Sequence, residues 1–312
     1  MVLVERDGTL STIGDKRTKV QNFFGFFQHL VYKDVFISTF KEAIDFVEER
    51  WVSDKHRTYD SLEERKEAIE NYCDTQGIDI YSSVKPYYKY KTINDFFTRK
   101  IKPELTPYLN KLADKRRTAI SSMADSRVVC FQNIKNAKKI WIKGNLFNVK
   151  SFVGCDYIDE YRFSTIMINR LAPVDYHRYH CPCDLKVLSI HNIEAHYKLA
   201  SLPVTIASVT SPIANPFSRN TRVIVECQHC HTGNKFLIVL IGALGVNTIS
   251  HVFKIGKQYK KFEDVGCFEV GGSTIVLLFP KATSRVHSDI LENSSNKNET
   301  YIRVGETVSE FV

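Results

Sequence analysis

Val265-Gly266-Cys267-Phe268-Glu269-Val270-Gly271-Gly272-Ser273-Thr274-Ile275-Val276-Leu277-Leu278-Phe279 is the stretch that decides how this chain is read. Both flanks are rich in β-branched and aromatic residues, which suit strands. Between them, Gly271 and Gly272 leave a backbone carbonyl sterically open directly before the Ser273 hydroxyl. Taken alone, the tetrapeptide reads as a strand bulge with polar residues at the bend.

The same β-rich character extends back to about Thr118. Short runs at 127–131, 139–142, 163–169, 186–190, 223–227, 235–241 and 273–279 are separated by Gly, Asn and Asp. Residues 293–300 are polar and predict a loop, and 301–304 predict a last strand. Upstream the period changes. Phe36, Phe40, Ala43, Ile44 and Val47 share one helical face. Ser61 with Glu64 forms a capping box, Gly77 stands where that helix ends, and Ala68, Ile69, Tyr72 and Cys73 make its inner face. Another short helix starts at Thr92, stopped by Pro103 and Pro107. The expected fold is therefore α+β: a helical N-terminal lobe over 1–117, then a mainly antiparallel β-sheet domain over 118–312.

Lys and Arg outnumber Asp and Glu 43 to 35, a net +8 that favours anionic partners without choosing between lipid headgroups and nucleic acid. No nucleic-acid motif is present, so no nucleic-acid partner is expected. The N-terminus lacks a secretory pattern. Residues 236–253 are uncharged, but Gly242, Gly245, Asn247, Ser250 and His251 make them two buried strands and a turn rather than a membrane span. The eight cysteines form no small-domain framework and are expected as reduced thiols inside a cell. Phe23, Phe24, Phe26 and Phe27 form an aromatic patch flanked by lysines, readable as a buried helix or as an interfacial segment on a bilayer.

His177 and His180 stand three residues apart. On their own they fit paired surface histidines, half a metal site or a catalytic pair. Leu171-Ala172-Pro173-Val174-Asp175-Tyr176-His177-Arg178-Tyr179-His180, with Pro182, is more specific. This segment resembles the Leu-x-Pro-x-Asp-Tyr-His-Arg-x-His-x-Pro element of the phosphatidylserine decarboxylases. The Gly271–Thr274 block is similar to that family's processing segment, cut between Gly272 and Ser273. Residues 121–128 resemble its Ser-Pro-Ala-Asp-Gly-x-Val element, with Met123 for Pro and Ser126 for Gly. Residues 94–103, 143–149, 215–223, 241–246 and 304–306 follow in family order, so the resemblance covers about residues 90–308.

The resemblance implies a self-processing proenzyme. Ser273 attacks its own preceding carbonyl, the resulting ester eliminates, and Ser273 ends as a covalent pyruvoyl cofactor. A β chain (1–272) and an α chain (273–312) stay packed together. The pyruvoyl group then decarboxylates phosphatidylserine, drawn from a bilayer surface, to phosphatidylethanolamine. Asp125 and His180 are assigned to maturation, His177 to decarboxylation or proton return, and the resemblance makes a homodimer the expected assembly. Peripheral membrane association is expected, without a transmembrane helix. Three rivals keep some of these residues: a pyruvoyl-dependent decarboxylase of a soluble amino acid, a non-catalytic membrane-binding relative, and a serine hydrolase using Asp125, His180 and Ser273. No Gly-x-Ser-x-Gly elbow surrounds Ser273, which counts against the last. Cys227-x-x-Cys230 and Cys181-x-Cys183 could in principle supply zinc thiolates, but the spacing and an expected hairpin tip favour no metal.

Overall fold

A computed structural model describes residues 3–10, 53–132, 152–153, 165–194, 220–242, 249–270 and 273–312. The aromatic patch at 23–27, the helix at 36–47, the strand at 139–142, the segment 143–149, most of 215–223 and of 241–246, and Gly271 and Gly272 lie outside these residues.

In chain order the elements are β1 (Leu3–Val4), α1 (Leu62–Gln76), α2 (Ile93–Phe97), β2 (Ala119–Ser121), β3 (Ser126–Phe131), β4 (Thr165–Leu171), β5 (Arg178–His180) and β6 (Leu185–Ile193). They continue as β7 (Arg222–His229), β8 (Lys235–Gly242), β9 (Ile249–His251), β10 (Gln258–Tyr259), β11 (Asp264–Phe268) and β12 (Ser273–Phe279). The chain ends with β13 (Ser284–Val286), α3 (Ser288–Ser295), β14 (Glu299–Ile302) and β15 (Thr307–Phe311). Nine strands form one sheet in the order β1-β14-β3-β4-β12-β8-β7-β6-β10, and β5-β11-β9 and β13-β15-β2 form two small ones. All pairings are antiparallel except β1 with β14. The α+β reading holds, and β1 adds an edge to the sheet although it precedes the helices in sequence.

β12 is the middle strand, held between β4 and β8, and all seven of its residues are buried. Because side chains alternate, Ser273, Ile275, Leu277 and Phe279 share one face. There Ile275, Leu277 and Phe279 pack with Met167, Leu240 and residues of both small sheets and α3. Val276 and Leu278 share the other face with Ile168, Val239 and Phe152. The quoted stretch thus splits: β11 joins a small sheet while β12 runs through the large one.

The capping signals at α1 are realised. Ser61 Oγ accepts the Glu64 N–H at 3.1 Å, and Gly77 closes the helix at φ +73°. Thr92 Oγ1 likewise accepts the Asp95 N–H at 2.9 Å at the start of α2. The loop predicted at 293–300 is a correction: 293–295 finish α3, and 299–300 open β14. Buried Ile290 anchors that helix, and Ser294 Oγ accepts the Cys130 N–H at 2.9 Å, an anchor on β3 that local polarity does not reveal. Among the described residues no helix is long and apolar enough to cross a membrane.

Candidate active site

Ser273 pairs with Leu171 on one side and Gly242 on the other, which marks one end of the large sheet. Residues 172–180 leave β4 at that end, and Asp125 sits there as the residue before β3. Three segments therefore converge: 121–126, 172–180 and the start of β12.

Asp125 Oδ1 accepts the Val304 N–H at 2.7 Å. That N–H is presented by a turn at Gly305, whose φ is +83° and where a Cβ would come within 2.8 Å of the Tyr108 backbone, so only glycine fits. Burial pushes the Asp125 carboxyl up to about 6, opposed by the N–H groups of Val304 and Tyr176, which favour its charged form. Asp125 makes no direct hydrogen bond to either histidine. Its link is through Tyr176, whose backbone faces the carboxylate and whose hydroxyl lies 3.4 Å from His180 Nε2.

Both histidines have their tautomer set by a backbone carbonyl. His177 Nδ1 donates to the Asp175 carbonyl at 2.8 Å, and His180 Nδ1 donates to the Phe262 carbonyl at 2.9 Å. A carbonyl can only accept, so in the neutral rings Nδ1 carries the proton and Nε2 the lone pair. Burial drives His177 down to about 3 and lowers His180 as well, so His177 is uncharged across the ordinary pH range. The His177 ring lies 3.9 Å, centroid to centroid, from Phe97 of α2. The carbonyl that serves His180 belongs to Phe262, a non-glycine residue at φ +70°, a conformation costing about 1–3 kcal/mol and concentrated at functional positions.

Asp175 fixes the turn that carries both rings. Its carboxylate takes the Ala172 N–H at 2.6 Å and forms a buried ion pair with Arg127 of β3. Burial pushes this carboxyl up while Arg127 and the Ala172 N–H hold it down. Arg127 Nε and Nη2 have no hydrogen-bond partner among the described residues, so the pair is incompletely compensated. Arg127→Met is expected to destabilise the fold by about 3–5 kcal/mol, because Asp175 stays behind as an unpaired buried charge. Arg127→Met with Asp175→Asn should recover most of that loss, and urea unfolding of both variants, made on a Ser273→Ala chain, measures it.

Ser273 is buried, and its Oγ has no hydrogen-bond partner among the described residues. The structure therefore joins Asp125, Tyr176 and His180, stations His177 beside Phe97, and puts Ser273 at the same sheet end without a bond to either ring. Asn94 of α2 reaches the turn that follows β11, its Oδ1 accepting the Val270 N–H at 3.0 Å. Asn94, Phe97, Asp175 and Tyr176 were missed as site residues. Each lies inside a quoted motif, but nothing in the sequence assigns it a partner.

The cysteine pairs do not assemble a metal centre among the described residues, where no three His, Cys, Asp or Glu side chains are grouped to hold one. Cys227 packs in the core while Cys230 is exposed, and His229 spends both ring nitrogens on Thr232 Oγ1 and the Arg117 carbonyl, each at 2.9 Å.

A family model described as phosphatidylserine decarboxylase matches residues 93–310. A phosphatidylserine decarboxylase proenzyme of Fusobacterium nucleatum is 33% identical over 261 residues, covering 83% of each chain. One from Clostridium perfringens is 30% identical over 266 residues, covering 84% of this chain and 86% of its own. Phosphatidylserine decarboxylase proenzyme 2 of Komagataella phaffii is 34% identical over 244 residues, 77% of this chain, which spans only 23% of that longer protein.

Proposed function

The chain belongs to the phosphatidylserine decarboxylase family, and from that premise we propose that it is a proenzyme that cuts itself between Gly272 and Ser273 and then converts phosphatidylserine to phosphatidylethanolamine. The observation that carries this reading is Ser273 itself: a buried hydroxyl without a partner among the described residues, on the first residue of the central strand. Leaving such a group unsatisfied costs about 1–3 kcal/mol, which supports a chemical role over a packing one. A pyruvoyl group made from this residue fits the same position, and it supplies an electrophilic ketone that takes a substrate amine and accepts electrons as carbon dioxide leaves.

His180 serves as the base for maturation. Its Nε2 lone pair is the one ring position able to take the Ser273 proton, and the 3.4 Å approach of Tyr176 is long enough to be exchanged. Asp125 is a positioning residue that acts through Tyr176. His177, neutral and against the apolar Phe97 ring, holds or returns a proton at Nε2 during decarboxylation. Chains 1–272 and 273–312 stay associated after the cut, the substrate comes from a bilayer surface, and the working assembly is a homodimer.

Intact mass of the purified protein tests the first half: two fragments, one ending at Gly272 and one opening with a blocked residue 273. Carbon dioxide release from phosphatidylserine vesicles, with free serine as the comparison, tests the second. A single uncut chain from a folded preparation sinks the proposal. The pH dependence of the cut adds a check. If Asp125 must be charged, the rate falls about tenfold per pH unit below pH about 6 as its carboxyl protonates. Asp125→Asn should lower the plateau by about 10²–10⁴-fold and leave only the acid limb that comes from protonation of His180, the base itself.

A further inference from the structure

Two loops beside the site combine exposed apolar side chains with lysines, a pairing that suits the interface of an anionic bilayer. The first follows α1: Tyr81 is 70% exposed and Val84 59%, with exposed Lys85 and Lys89 next to them. The second joins β9 to β10: Val252 is 49% exposed and Ile255 66%, with exposed Lys254 between them and exposed Lys257 two residues after Ile255. The nearest acids are engaged locally, Asp79 with the Tyr81 N–H, Glu70 with the Tyr87 hydroxyl and Glu263 with the Lys260 N–H.

The two loops flank one small sheet. Val84 N–H donates to the Lys100 carbonyl at 3.0 Å, Lys100 Nζ stands 3.8 Å from Asp264 of β11, and the Val252 N–H donates to the next residue, Val265, at 3.0 Å. β11 pairs with β5, which carries His180 and follows His177 directly. A surface resting on both loops would thus lie beside the histidines, where a headgroup has to enter.

We propose that the 81–89 and 252–257 loops together form the face that docks on an anionic phospholipid bilayer, with the apolar side chains entering the interface and the lysines meeting the headgroups. This deepens the reading of the site as a phospholipid decarboxylase and rests on it. The sequence points instead to Phe23–Phe27, which lie outside the described residues.

The test uses the whole chain carrying Ser273→Ala, so that binding is read without cleavage or turnover. Vesicles of phosphatidylcholine with about a quarter phosphatidylserine are the probe, against pure phosphatidylcholine. One variant replaces Lys85, Lys89, Lys254 and Lys257 by Gln, and its affinity for the anionic vesicles should fall on the order of a thousandfold. A second replaces Tyr81, Val84, Val252 and Ile255 by Ser and should lose roughly tenfold or more on the same vesicles. Thermal unfolding checks both, and if the Ser variant is unfolded the Gln variant decides, since it keeps every apolar side chain. Unchanged binding in the folded variants overturns the docking face. The two readings fail separately: a chain that never decarboxylates but needs these loops to bind sinks the proposed function alone. An active enzyme whose variants bind normally sinks this inference alone.

Discussion

Ser273→Ala is expected to yield a single chain of full mass and no measurable decarboxylation. On the proposed chemistry the loss is complete rather than partial, because two things vanish together: the nucleophile for the cut and the atoms from which the cofactor is made. Stability should move little, and upward if at all. Ser273 Oγ is buried without a partner among the described residues, so deleting it removes a desolvated hydroxyl and breaks no bond. That combination separates a chemical role from a structural one, since a serine that mattered for packing would lower the melting midpoint. Intact mass and thermal unfolding on one sample give both answers. An alanine chain that still splits at the same bond would show that another group performs the attack.

His177→Gln is expected to leave the cut intact and to reduce decarboxylation by about 10²–10⁴-fold, the range for loss of a positioned acid–base group. The same variant carries a stability signature. His177 sits at about 3 in the folded chain against 6.5 when free, so below pH 6.5 the unfolded chain takes up a proton that the folded one refuses. Stability from this group is therefore present above pH 6.5 and is lost as pH falls toward about 3. Asp125 and Asp175 act in the opposite sense over part of this window, because burial raises their carboxyls and the folded state binds the extra proton. Subtracting the variant from the parent isolates the histidine. Between pH 6.5 and about 4.5 the chain with His177 should lose on the order of 2 kcal/mol more than the glutamine variant, read from urea unfolding at each pH with both made on the uncut Ser273→Ala chain. Equal losses would place His177 in a wetter setting than the structure gives it.

What could be read in advance follows from how local each signal is. The caps at Ser61, Gly77 and Thr92 were legible because their partners lie within four residues. The strand at 273–279 was legible because its run is apolar and most of its residues are β-prone, which needs no knowledge of neighbours. The family motifs brought Asp125, His177, His180 and Ser273 into view, but not how they are wired. The Arg127–Asp175 pair spans 48 positions, and His180 rests on a carbonyl 82 positions away. Backbone carbonyls have no sequence signature, so His180's orienting partner was unreadable. Tyr176 was overlooked for a related reason. Its two contacts use different parts of one residue, the main chain toward Asp125 and the phenol toward His180.

The place of β12 in the sheet has a consequence for how the molecule is made. Residues 273–312 contribute the middle strand of the large sheet together with β13, α3, β14 and β15. Before any cut, these pieces are on the same chain as β4 and β8, and closing the loop between them is a unimolecular event. After it, the same contacts join two molecules, and recovery from denaturation acquires second-order kinetics that slow with dilution. A severed fragment would also expose both edges of a long apolar strand while it searched for its partner, an invitation to aggregate. If the chain is cut between Gly272 and Ser273 as proposed, folding must therefore be complete first, and the cut form is held by the persistence of a fold it could not readily rebuild.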